Sequence, residues 1–173
     1  MGDANTGADS RVRAGVALLA AAAGAWAVAA SRAIFPFGSI NHDEAVYRLQ
    51  ADTLTHGHLF PVAPPHPAAF LPWLSAYRAG HFIPKYAPVH ATVLAVGRLL
   101  AGTDRAGLAI IAASAVAATY LVGVEVLGDK VQALAAAGLL LASPLFLLQS
   151  ATYLTYTTGL VLLELFAVAV LRA

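Results

Sequence analysis

The sequence predicts an all-α, polytopic membrane protein with about four transmembrane helices and a long first outer loop carrying short interfacial helices. Three observations lead there. Sixty per cent of the residues are apolar and only 11% are charged, against roughly 45–50% and 25% in soluble domains. The apolar residues fall in runs near the ~20 residues that a helix needs to cross a bilayer. The polar chemistry is gathered in one place. All six histidines lie between His42 and His90, and eight of the nine prolines between Pro36 and Pro88.

Composition also excludes some functions. The net charge is +1 and no basic stripe exists to follow a phosphate backbone, so nucleic acid is not an expected partner. There is no cysteine, which removes disulfides and thiolate metal sites.

Residues 1–13 are polar, end in Arg11-Val12-Arg13 and read as a cytoplasmic amino terminus. Residues 14–37 read as the first transmembrane helix, uncharged from Ala14 to Ala30 and resuming at Ala33 after Ser31-Arg32. A secretory signal peptide, with an A-x-A site at Ala27-Val28-Ala29, is the competing reading. The run is long for such a peptide and further spans follow, so a signal anchor is expected.

Residues 38–104 form the outer loop. Asn41 to His56 reads as a short helix. Asn41 is its N-cap, Glu44 has capping-box spacing, and Gly57 stops it. The prolines of residues 59–72 rule out regular helix there. Phe60, Phe70, Trp73, Tyr77, Phe82 and Tyr86 follow one another closely, and Trp and Tyr favour the headgroup level of a bilayer. Residues 88–102 are apolar but short for a span and interrupted by Arg98, which fits an interfacial or re-entrant helix.

Residues 105–173 hold the second to fourth spans. These are Ala106–Leu127, then Val131–Leu148 after the turn Gly128-Asp129-Lys130, then Ala151–Leu171. With Arg11, Arg13, Lys130 and Arg172 on the cytoplasmic side, the loop is outside. The chain is then integral to the cytoplasmic membrane, with the lipid bilayer as its first partner.

The candidate site is the stretch from Asn41 to His58. It holds the carboxylates of Asp43, Glu44 and Asp52 and the imidazoles of His42, His56 and His58. Asp52 and His56 are four apart and share a helix face, but no two histidines are so spaced, and no metal site is assigned to them. Carboxylates in a first helical turn complement the helix dipole by ~0.3–1 kcal/mol, so Asp43-Glu44 has a purely structural explanation too. Glu164 lies mid-span and calls for a partner on a neighbouring helix or a polar pathway. Tyr153, Thr155, Tyr156, Thr157 and Thr158 bring hydroxyls to the start of the last span.

The order of these pieces matters: DEAVYRLQADTLTHGHL after the first span, a Pro- and aromatic-rich segment, then KYAPVHATVLAVGRLLAG. This resembles the amino-terminal portion of the GT-C membrane glycosyltransferases, in the branch of the protein O-mannosyltransferases and aminoarabinose transferases. The resemblance implies transfer of a sugar from a polyprenyl-phosphate donor to an acceptor on the outer face. It implies that Asp43, with Glu44 beside it, is the catalytic carboxylate, and that Lys85, Tyr86 and Arg48 meet the lipid phosphate. Many relatives have Pro-Pro where this chain has Ala87-Pro88, and the aminoarabinose branch has a basic residue where this chain has Val46, two before Arg48. No cofactor is implied beyond a divalent cation that some members of the superfamily use. Family enzymes have many more spans, so the expectation includes a fragment that needs a missing carboxy-terminal part or a partner subunit. The alternative reading is a non-catalytic scaffold subunit or an inactive remnant.

Overall fold

Alanine and glycine fill little space but let helix backbones approach closely, which is how apolar helices associate without a hydrophobic driving force. The computed structural model describes residues 3–173. Among them are seven α-helices: α1 (Asp3–Ala33), α2 (His42–Thr55), α3 (Val89–Ala101), α4 (Asp104–Leu127), α5 (Lys130–Ala142), α6 (Pro144–Ser150) and α7 (Tyr156–Leu171). Helix α4 is the centre and packs against α1, α3, α5 and α7. Its contacts are built on small residues. Ala23 and Ala27 of α1, Ala112 and Ala115 of α4 and Ala137 of α5 are all fully buried. Gly24 of α1 lies against Ala109, and Gly123 of α4 against Ala133. The closest approach is α3 on α4. A Cβ added at Gly107 would stand 2.6 Å from the Leu94 Cα, and one added at Gly97 would overlap the Gly107 backbone.

Two ion pairs show which helix ends lie together. The Lys130 ammonium meets Asp9 at 2.8 Å and the Arg172 guanidinium meets Glu125 at 2.6 Å. The start of α1, the end of α4, the start of α5 and the end of α7 therefore share one end of the molecule. Helices α2 and α3, with the segment between them, form a layer at the other end. The bundle runs up through α1, down through α4, up through α5 and α6, and down through α7.

Two helices are long and apolar enough to cross a membrane, Asp9–Ala33 and Asp104–Leu127. The expected four are not present as four straight spans. The stretch read as Val131–Leu148 is broken into α5 and α6, bent by 67°. Pro144 explains the break. It lacks an N–H and forces the preceding residue out of the helical region, and Ser143 is extended at φ −73°, ψ 120°. The last apolar segment is helical only from Tyr156, leaving 16 residues in α7. At the amino terminus the helix starts by Asp3 and runs unbroken through residues 3–13, expected to be a separate polar tail. It stops at Ala33, before Pro36.

The segment between α2 and α3 holds a strand pair the sequence did not suggest. Strands β1 (Ser75–Arg78) and β2 (His81–Pro84) form an antiparallel hairpin, with Tyr77 opposite Phe82. Ala79 and Gly80 turn it with φ of 51° and 81°, the positive pair that a two-residue hairpin turn requires. Residues 61–63 extend the sheet, through Phe82 N to Pro61 O at 2.9 Å and Ala63 N to Gly80 O at 2.8 Å.

The glycine contacts predict a contrast. Gly107→Val should destabilise the protein by about 1–3 kcal/mol or more through overpacking. Gly159→Ala, where an added methyl meets nothing within 4 Å, should be neutral or stabilising by about 0.4–1 kcal/mol. Thermal unfolding of the detergent-purified variants, followed by loss of monodisperse protein, reads both.

Candidate functional site

Helix α2 begins as expected and then departs from the expected cap. Asn41 Oδ1 accepts the Asp43 N–H at 3.0 Å. A capping box would turn Glu44 back to the Asn41 N–H. Instead Glu44 Oε2 accepts the Ser39 N–H at 2.6 Å, and Oε1 accepts the Tyr153 N–H at 3.0 Å. The side chain is 3% exposed. Both oxygens thus hold backbone amides from separate parts of the chain, the exit of α1 and the turn between α6 and α7.

Tyr153 is gripped from three sides. Its carbonyl accepts from His90 Nε2 at 2.8 Å. A carbonyl can only accept, so the imidazole proton is on Nε2, and Nδ1 accepts the Thr158 hydroxyl at 2.7 Å. The Arg48 guanidinium lies 5.0 Å from the centre of the Tyr153 ring. His90 is 2% exposed and edge-on to Tyr47. Burial lowers its pKa to about 4, opposed by the bond to Tyr153.

Asp43 points to a different neighbourhood. It is half-buried and sits beside the Tyr86 hydroxyl. The Tyr86 and Tyr47 rings are 4.8 Å apart. Burial pushes the Tyr47 hydroxyl up to about 12, helped by Tyr86 and the Asp43 charge. Tyr86 is raised as well, by burial and then by Asp43 as acceptor and charge. These phenols stay protonated and can donate. Gln50 Nε2 donates to the Tyr86 carbonyl at 3.1 Å and fixes that residue's backbone against α2. Lys85 is exposed, with its ammonium 6.0 Å from the centre of the Tyr86 ring. Asp43 and Lys85 are thus each related to Tyr86, the one at its hydroxyl and the other 6.0 Å from its ring centre, while Glu44 is held by the Ser39 and Tyr153 amides.

Arg48 has a structural partner. Its Nε donates to Asp104 Oδ2 at 3.3 Å. Asp104 is buried at the start of α4 and also receives Arg98 Nε at 2.7 Å and Nη2 at 2.9 Å. Arg98 Nη1 reaches Asp52 on α2. Two arginines and two aspartates thus pin α2 and α3 to the head of α4. Arg48 also lines a cavity of about 290 Å³ with Phe37, Ile40, His42 and Glu44.

Among the described residues no three His, Cys, Asp or Glu side chains could share a metal ion. His56 Nδ1 bonds the Asp52 carbonyl at 2.8 Å, which turns that ring onto its own helix. The divalent cation is thus not supported by a ligand set here. Glu164 finds its partner within the bundle, where Thr119 of α4 donates to Oε1 at 2.6 Å.

No family model, curated protein or solved structure matches the chain. Its site is read from its own chemistry.

Residues that sequence reasoning passed over are Tyr47, Gln50, His90 and Asp104. Asp43, Tyr47 and Gln50 are spaced i, i+4, i+7 on one face of α2, a signal that was legible. His90 and Asp104 gave none, because their partners are remote in sequence.

Two outcomes follow. Glu44→Gln removes one acceptor from two buried amides and should destabilise the protein by about 1–3 kcal/mol, read as a lower unfolding temperature. His90 folds neutral with its pKa lowered from 6.5 to about 4. Between those values the unfolded chain binds a proton that the folded chain refuses. Stability should therefore be full above about pH 6.5, fall by roughly 3 kcal/mol down to about pH 4, and show no further His90 contribution below that. His90→Asn should flatten this slope.

Proposed function

We propose that this chain is a membrane glycosyltransferase of the GT-C type, or the amino-terminal portion of one, and that Asp43 is its catalytic carboxylate. The observation that carries the reading is the division of labour between adjacent carboxylates. Glu44 is consumed by two backbone amides, whereas Asp43 stays half-exposed beside the Tyr86 phenol, whose ring has the Lys85 ammonium 6.0 Å from its centre.

The chemistry fits those groups. The acceptor hydroxyl gives its proton to Asp43 as its oxygen bonds to the anomeric carbon. The bond from that carbon to the phosphate oxygen breaks, and polyprenyl phosphate leaves with the bonding pair. Lys85 offsets the charge developing on the phosphate. Tyr86 orients Asp43 and donates at the edge of the same space. Arg48 is a secondary phosphate contact, since its Nε is committed to Asp104. Glu44 positions the site by holding its floor together.

In this reading the chain is integral to the cytoplasmic membrane. The α2–α3 layer faces outside, and Lys130 and Arg172 lie at the cytoplasmic end. The bent α5–α6 pair and α7 complete four passes, although only α1 and α4 are full-length spans.

The test is transfer by reconstituted protein from short-chain polyprenyl-phosphate mannose and aminoarabinose. Asp43→Asn should lower transfer by about 10²–10⁴-fold without changing the unfolding temperature. Unimpaired transfer by that variant would remove Asp43 from the reaction. Donor binding without transfer by the parent chain would favour the scaffold reading.

A further inference from the structure

The segment joining α2 to α3 leaves an apolar surface uncovered. Trp73 is 62% exposed, and Phe70, Leu71 and Tyr77 are exposed beside it. At the exit of α1, Phe37 is 93% exposed and Ile40 fully so. The Trp73 ring lies 6.0 Å from that of His42, which opens α2 two residues after Ile40, so this segment lies against the start of the helix that follows the first membrane-length helix.

Charge identifies what covers it. No Asp or Glu occurs between Asp52 and Asp104, while Arg78, Lys85 and Arg98 all do. Arg98 is neutralised by the two flanking aspartates. Arg78 and Lys85 are exposed and join no ion pair among the described residues. A surface of exposed aromatics rimmed by unpaired cations complements a lipid headgroup layer carrying negative charge. We infer that the hairpin segment is a membrane anchor: Trp73, Phe70 and Tyr77 insert at the headgroup level of the outer leaflet, and Arg78 and Lys85 hold anionic phospholipid. This anchor does not depend on any transferase activity.

The chain has two tryptophans, Trp26 and Trp73, so fluorescence can test this. The full chain is reconstituted in phosphatidylcholine vesicles, with or without phosphatidylglycerol, using lipid brominated near the top of its acyl chains. The Trp73 signal is taken as the difference between the parent and Trp73→Phe. Trp26→Phe gives the same signal independently. The expected result is loss of most Trp73 emission to brominated lipid, little quenching by aqueous iodide, and stronger quenching with phosphatidylglycerol that Arg78→Gln reduces. Trp73 quenched by iodide and untouched by brominated lipid would overturn the anchor. Quenching indifferent to phosphatidylglycerol would overturn the anionic-lipid assignment.

Discussion

A buried carboxylate must find donors or be neutralised, and at one end of this bundle the Glu44 carboxylate finds two backbone amides. One belongs to the exit of α1 and the other to the turn before α7. The bond to Tyr153 spans 109 residues. His90 closes on the same residue from α3, through the Tyr153 carbonyl. The layer that carries the polar chemistry is thus tied to the turn before α7 through both backbone polar groups of Tyr153, besides the close packing of α3 on α4. The ion network of Asp104 with Arg48 and Arg98 is its second fastening. Breaking either leaves charged or polar groups buried and unpaired, which is why such networks hold a geometry firmly.

That fastening gives the adjacent carboxylates different fates. In sequence Asp43 and Glu44 look equivalent, since both sit in a first helical turn. In the fold Glu44 is held by two backbone amides and Asp43 lies half-exposed at the Tyr86 hydroxyl. The step from α2 to function rests on this asymmetry. It also rests on Tyr86, whose ring stacks near Tyr47 and whose carbonyl is held by Gln50. A carboxylate held beside a protonated phenol is suited to receive a proton in the proposed reaction.

Much of the architecture was legible in the sequence. The helical class, the long first and second apolar helices and the N-cap at Asn41 follow from hydropathy runs and local chemistry. The short amphipathic α3 was legible for the same reason. Three things were hidden. The hairpin has only four residues a strand, in a segment whose prolines and aromatics show no clean alternation. Pro144 was visible, but a proline near the end of an apolar run does not say whether a helix kinks or breaks. Here Pro144 breaks the helix, and the Ser143 hydroxyl caps α6 through the Phe146 N–H at 3.5 Å. The Tyr153 partner of Glu44 and the partners of Arg48 and His90 lie 56 to 109 residues away, and no local pattern reports them. The Arg48–Asp104 pair in particular gives a structural partner to an arginine that family resemblance placed on a phosphate.

In the proposed topology the polar layer at one end of the up-and-down bundle is presented outside the membrane. The chain has no cysteine, so single cysteines introduced at Ala68 and at Gln132, both exposed and at opposite ends, report it cleanly. A membrane-impermeant maleimide applied to intact cells should label the cysteine at 68 at once and that at 132 only after permeabilisation. Labelling of 132 but not 68 in intact cells would contradict the account, because Asp43 would then face the cytoplasm.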